Sequence, residues 1–122
     1  MGSSRLYRFE PGLVKMLIPP GWRGTYIIYR NKANIGFIPI YVGRSDRDLR
    51  ARLTKHPLLG NKYFFEFDTH TSSYNAFYME CALYHIFRDT IINKIHPASP
   101  NGDNMQCPFC NIKQVLLNRV SV

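Results

Sequence analysis

At 122 residues with 45% apolar side chains, the chain has the size of one domain with one core. Lysine and arginine outnumber aspartate and glutamate by 16 to 8, a formal charge of +8, which favours a polyanionic partner over an acidic metabolite. No apolar run approaches the ~20 residues that span a bilayer, the opening Met1-Gly2-Ser3-Ser4 leads into charged residues instead of a signal-peptide core, and an odd three cysteines argue for reduced thiols, so a cytoplasmic protein without membrane contact is expected.

Residues 1–23 read as a leading segment packed on the core, with Pro19-Pro20-Gly21 stopping any regular element and Trp22 as an anchor. Two runs rich in β-branched and aromatic residues follow, Thr25 to Tyr29 and Phe37 to Val42, separated by a polar Arg30 to Asn34 stretch; this predicts a β-hairpin. Ser45-Asp46 supplies a helix N-cap signal. Leu49 and Leu53 then face the core, Arg52 and His56 lie one turn apart beside them, and Pro57 forbids continuation.

Lys62 to Asp68 is an aromatic-rich third strand, Thr69 to Ser73 a polar turn, and Ser72 or Ser73 the cap of a second helix. That helix has apolar positions Ala76, Phe77, Met79, Ala82, Leu83, Ile86 and Phe87, and it carries Glu80 and a small buried thiol, Cys81. Beyond it, residues 93–122 form an irregular segment with a Cys107-Pro108-Phe109-Cys110 knuckle and a short closing helix over Ile112 to Val120. The expected fold is α/β of the α+β kind: one domain over 1–122, its core in 24–92, built on a small central three-stranded antiparallel sheet flanked by helices.

Each hairpin run sets a tyrosine beside a glycine, Gly24-Thr25-Tyr26 and Tyr41-Val42-Gly43, and an arginine (Arg52) and a glutamate (Glu80) follow in order. In this the chain resembles the GIY-YIG nuclease family, whose two name-giving tripeptides stand here as GTY and YVG. The resemblance covers the central two thirds of the chain and implies the same three-stranded fold and a divalent-metal-dependent endonuclease acting on DNA. It assigns a metal ion, Mg²⁺ or Mn²⁺, to Glu80, a proton-relay or general-base role to Tyr26, positioning of water or phosphate to Tyr41, and a phosphate contact to Arg52. His56, four residues after Arg52, resembles a histidine of the family's restriction enzymes; the competing role is a cap on the helix C-terminus. The family asparagine falls on Asn93 by distance or on Asn101 by its proline context.

A free phenol has a pKa of ~10, so Tyr26 needs positive charge nearby to become a phenolate, and Arg44 and Lys32 are available for this. These two, with Lys55, are the candidate nucleic-acid contacts. The cysteine pair has zinc-knuckle spacing but is only half of a tetrahedral site; His96, or His85 and Cys81, are the residues that can complete it. Two rival readings keep part of the pattern: a nucleic-acid-binding module without catalysis, and a small zinc-stabilised interaction domain. A chain this short has little room for a target-selecting domain, so the expectation is a fragment, a partner protein or homo-oligomer that supplies specificity, or cutting with little sequence preference.

Overall fold

The computed structural model describes residues 5–100 and 105–110; the expected closing helix over 112–120 and the alternative asparagine, Asn101, lie outside them. Among the described residues, four strands and three helices occur in the order β1 (Tyr7–Arg8), α1 (Pro11–Leu17), β2 (Gly24–Lys32), β3 (Gly36–Ser45), α2 (Leu49–Thr54), β4 (Phe64–Thr69) and α3 (Ser73–Phe87). The sheet is wholly antiparallel with strand order β1-β4-β2-β3. The fold is therefore the mixed α+β kind expected, but with four strands instead of three. The extra strand comes from the leading segment, where Tyr7 and Arg8 pair with Phe65 and Phe64. Two residues carry no legible alternation, so this strand had no signal in the sequence.

Pro11 opens α1, a position where its fixed φ suits the first helical turn and its missing N–H costs nothing. Val14 and Ile18 carry the helix into the core with full burial, and Pro19-Pro20-Gly21 ends it. Trp22 corrects the anchor assignment: its side chain is exposed, and its contribution is a carbonyl that accepts the Leu49 N–H at 2.7 Å.

The hairpin is longer than its apolar runs. Beyond Tyr29, β2 has lost β4 as a neighbour and pairs only with β3, so Arg30, Asn31 and Lys32 are exposed and read as loop by composition although they are strand. A bulge between Ile28 and Tyr29 leaves Ile40 as the extra residue opposite them. Ile40 and Tyr41 consequently both pack on one side of the sheet. Pro39 is tolerated because β3 is an edge strand.

The two faces have separate cores. Phe9, Val14, Ile18, Leu49 and Leu53 cover Tyr26, Ile28, Ile40 and Phe65 on the α1/α2 face. On the other, Tyr84, Ile91, Leu83 and Phe87 cover Ile27 and Val42. Of the apolar positions assigned to α3, Ala76 and Phe77 are buried whereas Ile86 is exposed. Cys81 is fully buried, as its setting suggested. Ser72 caps α3 through the Asn75 N–H. The cap of α2 is Asp48, which accepts from the Ala51 N–H at 3.0 Å, not Ser45-Asp46; Ser45 instead accepts from the Asp48 N–H at 3.0 Å and turns the chain into the helix. No helix among the described residues is long and apolar enough to cross a membrane.

The motif glycines have packing reasons. Gly43 lies opposite Tyr26, and a Cβ there would fall on the Tyr26 ring. One at Gly24 would meet the Asp68 carbonyl and Leu49. Gly43→Ala is expected to cost about 1–3 kcal/mol by overpacking, whereas Gly12→Ala, in α1 with open space around it, should be neutral or stabilise by about 0.5–1 kcal/mol. Urea unfolding of the two variants checks this; equal effects would remove the packing account.

Candidate active site and metal centre

Tyr26 is buried, with its ring across Gly43. It stacks parallel to Tyr41, with ring centroids 6.1 Å apart and planes within 5°. His56 stands perpendicular to both rings, 5.6 Å from Tyr26 and 4.6 Å from Tyr41. These three side chains, from β2, β3 and the end of α2, line an open cleft of about 400 Å³ together with Arg47, Arg52 and Lys55. Arg47 had not been singled out; only the turn that Ser45 makes brings it to the cleft.

Burial, the neighbouring Tyr41 and the Glu80 charge push the Tyr26 phenol well above its usual pKa; Arg52 opposes them and is outweighed. Burial thus favours the neutral phenol, a hydrogen-bond donor, and the positive charge that works toward phenolate comes from Arg52. Lys32 lies six residues along β2 from Tyr26, about 20 Å at strand rise, at the exposed hairpin tip. It is too distant to act on that phenol.

His56 accepts the Leu58 N–H on Nδ1 at 3.1 Å, which places the imidazole proton on Nε2. That Nε2 is buried without a hydrogen-bond partner. Burial and the nearby Arg52 lower its pKa to about 4, so the ring is neutral at pH 7. Its ring closes the turn after α2 and wedges the two phenols, while its backbone N–H donates to the Leu53 carbonyl of the last helical turn at 3.2 Å.

Glu80 reaches the same end of β3 from α3, on the opposite face, and does not line the cleft. Its carboxylate accepts from Arg44 Nη1 at 3.0 Å. Arg44 is nearly buried and held on several sides: it also donates through Nε and Nη2 to Asp46 at 2.9 and 3.1 Å, through Nη2 to the Ala98 carbonyl at 2.7 Å, and its guanidinium lies 5.4 Å over the Phe77 ring. It braces the site, with most of its donors directed at Asp46, Glu80 and the Ala98 carbonyl. Burial raises the Glu80 pKa to about 7, and Arg44 only partly offsets this because it also serves Asp46.

Asn93 places its side-chain amide on the free edge of β3, its Oδ1 accepting from the Val42 N–H at 3.2 Å and its Nδ2 donating to the Val42 carbonyl at 2.6 Å. Both polar ends of the amide are thus engaged in holding the backbone of the second motif.

A second centre lies past the end of α3. His85, His96, Cys107 and Cys110 bring their ligand atoms within 4.8 Å of one another, a group that can hold a metal ion. Cys110 Sγ is 3.1 Å from His96 Nε2 and 3.5 Å from His85 Nε2. Both histidines join the cysteine pair, and Cys81 stays behind Cys107 in an apolar cluster with Phe77.

Comparison with known proteins adds no relative: no family model, no curated protein and no solved structure matches the chain.

The titration of Glu80 has a measurable sign. The folded chain keeps this proton up to about pH 7 whereas the unfolded chain releases it in the usual carboxylate range near 4.3. Stability is therefore lost as pH rises through that interval. His56 acts oppositely, its contribution being present above about 6.5 and lost as pH falls towards 4. In urea unfolding with chelator present, Glu80→Gln should gain on the parent chain as pH rises from about 4.5 to 7; a difference independent of pH would show that Glu80 is ionised throughout.

Proposed function

We propose that the chain is a divalent-metal-dependent endonuclease that hydrolyses phosphodiester bonds in DNA, the activity that its resemblance to GIY-YIG nucleases implies. The observation that carries this reading is convergence. Tyr26, Tyr41, Arg52 and His56, from two strands and the helix and turn that follow them, line one cleft, and Glu80, from a later helix, lies close enough to act electrostatically on Tyr26.

The cleft suits a phosphodiester. Arg47, Arg52 and Lys55 give it three cations, and a planar guanidinium on Arg52 matches a pair of phosphoryl oxygens better than an ammonium does. Tyr26, held neutral, donates its hydroxyl proton as a hydrogen bond to a phosphoryl oxygen or to the attacking water. Tyr41, half-buried, presents the second hydroxyl at the cleft wall, and His56 fixes the angle of both rings.

The residues around Glu80 fit a hard cation. Two carboxylates, Glu80 and Asp46, share a single guanidinium, so one negative charge is left over when both are ionised, and the donors are oxygens, as Mg²⁺ and Mn²⁺ prefer. When bound, such an ion polarises a phosphoryl oxygen and lowers the pKa of water. Glu80 would hold it through the carboxylate, whose orientation Arg44 sets. Tetrahedral zinc at the His and Cys group belongs to a separate, structural role, so the zinc-stabilised reading and the nuclease reading are compatible.

Cleavage of plasmid, linear, single-stranded and branched DNA with Mg²⁺ or Mn²⁺ tests the proposal. Glu80→Gln should lose roughly 10³-fold or more in rate while still binding DNA, and Tyr26→Phe roughly 10²–10³-fold, as for a lost transition-state donor. With three cations in the cleft, duplex affinity should fall with salt at a log–log slope near −2.7, and Arg52→Ala should flatten it by about one unit. DNA binding with this salt dependence but no cleavage of any substrate would leave a binding module; cleavage unaffected by Glu80→Gln would remove Glu80 from the mechanism.

A further inference from the structure

The His and Cys group has the construction of a zinc site. Two thiolates and two imidazoles are a donor set that selects Zn²⁺, and Zn–S and Zn–N bonds of about 2.3 and 2.0 Å put tetrahedral ligand atoms about 3.3–3.8 Å apart. The Sγ–Nε2 separations of 3.1 and 3.5 Å at Cys110 lie near the short end of that range, and the group as a whole, within 4.8 Å, closes to it with a contraction of about 1 Å. His96 has the outer support that metal-bound histidines show: its Nδ1 lies 2.8 Å from the Pro97 carbonyl, and donation to that oxygen leaves Nε2 free as a ligand. The four ligands come from three places, α3, the extended segment after it, and the knuckle.

Two links run from this group to Glu80. Ala98, two residues after His96, gives its carbonyl to Arg44 at 2.7 Å, and Arg44 holds Glu80 at 3.0 Å. On α3 itself, Cys81 next to Glu80 packs against Cys107, and Phe77 in the same cluster lies under the Arg44 guanidinium. The start of the segment from Ile91 to Ala98 is fixed by buried Ile91 against Ile27 and Val42, by Ile92 donating to the Ile40 carbonyl at 2.8 Å and by Asn93 clasping Val42; beyond Asn93 the Tyr84 hydroxyl donates to the Lys94 carbonyl and Arg44 to that of Ala98.

We propose that His85, His96, Cys107 and Cys110 bind one structural Zn²⁺ ion, and that this ion clamps the segment carrying Ala98 so that Arg44 is held against Glu80. The ion is thereby a positioning device for the carboxylate, remote from the cleft. Zinc binding and its effect on the segment stand independently of whether Glu80 takes part in hydrolysis.

The test uses the full chain purified under reducing conditions. Elemental analysis should find one zinc per chain, and Co²⁺ replacement should give the intense visible bands and thiolate charge-transfer absorption of a tetrahedral site. Cys110 is exposed, so Cys110→Ser removes a ligand without opening the core; its zinc content after dialysis against chelator should fall below about a tenth of the parent's. Amide hydrogen exchange reads the clamp. Without zinc, in the parent or in Cys110→Ser, peptides over 91–100 and 42–46 should exchange at least about tenfold faster, while Ile28 and Phe65 in the central strands keep their protection. Returning zinc to the chelated parent should restore it. Absence of zinc, or a Cys107–Cys110 disulfide in freshly reduced protein, overturns the site. Zinc loss that leaves 91–100 and 42–46 unchanged, or that exposes the central strands equally, overturns the clamp.

Discussion

The Tyr26 ring lies across the edge strand over Gly43, and this crossing sets the position of almost everything else in the site. A side chain at Gly43 would push the ring off the sheet. Its absence lets the phenol extend to the end of β3, where α2 approaches from one face with Arg52 and α3 from the other with Glu80, so that one hydroxyl feels both charges. Gly24 has the matching role on the neighbouring strand, where the Asp68 carbonyl and Leu49 come too close for any Cβ. Close backbone approach, more than backbone flexibility, is what requires glycine in the two tripeptides.

A second constraint is a local shortage of cations around two neighbouring carboxylates, despite the basic composition of the chain. One arginine, Arg44, neutralises two carboxylates, accepts an aromatic ring beneath it and also satisfies a backbone carbonyl. Because its charge is divided, burial dominates at Glu80 and holds its pKa near 7. A buried carboxylate that shares its counter-ion with a second acid pays a desolvation cost that the ion pair only partly offsets. Coupling to the His and Cys group follows from the same arginine, since the carbonyl it satisfies lies two residues from His96.

The exposed edge of β3 is managed by the segment that follows α3. Free strand edges invite pairing with other chains, and here Ile92 and Asn93 occupy the Ile40 carbonyl and both backbone groups of Val42. Asn93 was legible in the sequence as a residue at a suggestive distance from Glu80, but its present partners give it a backbone role that spacing cannot reveal. The edge is sealed and the second tyrosine motif is held in register by the same contacts.

The sequence by itself determined the hairpin, the helix start at Ser72, the burial of Leu49, Leu53 and Cys81, and the antiparallel α+β character, because these depend on local periodicity, capping chemistry and turn residues. It also marked Tyr26, Tyr41, Arg52, His56 and Glu80 as a set, through their order and their glycine neighbours. What only tertiary structure decided were quantities that arise between distant segments. The fourth strand exists because Phe64 and Phe65 offer a free edge to Tyr7 and Arg8, a pairing with no pattern of its own. Tyr26 is neutral because of burial among residues from three elements, Arg44 is a brace because Asp46, Glu80 and Ala98 surround it, and the cysteine pair gains two histidines because α3 ends beside the segment that carries His96. Local sequence specifies what a residue can do; long-range packing sets the charge, partner and exposure that decide which of those roles it has.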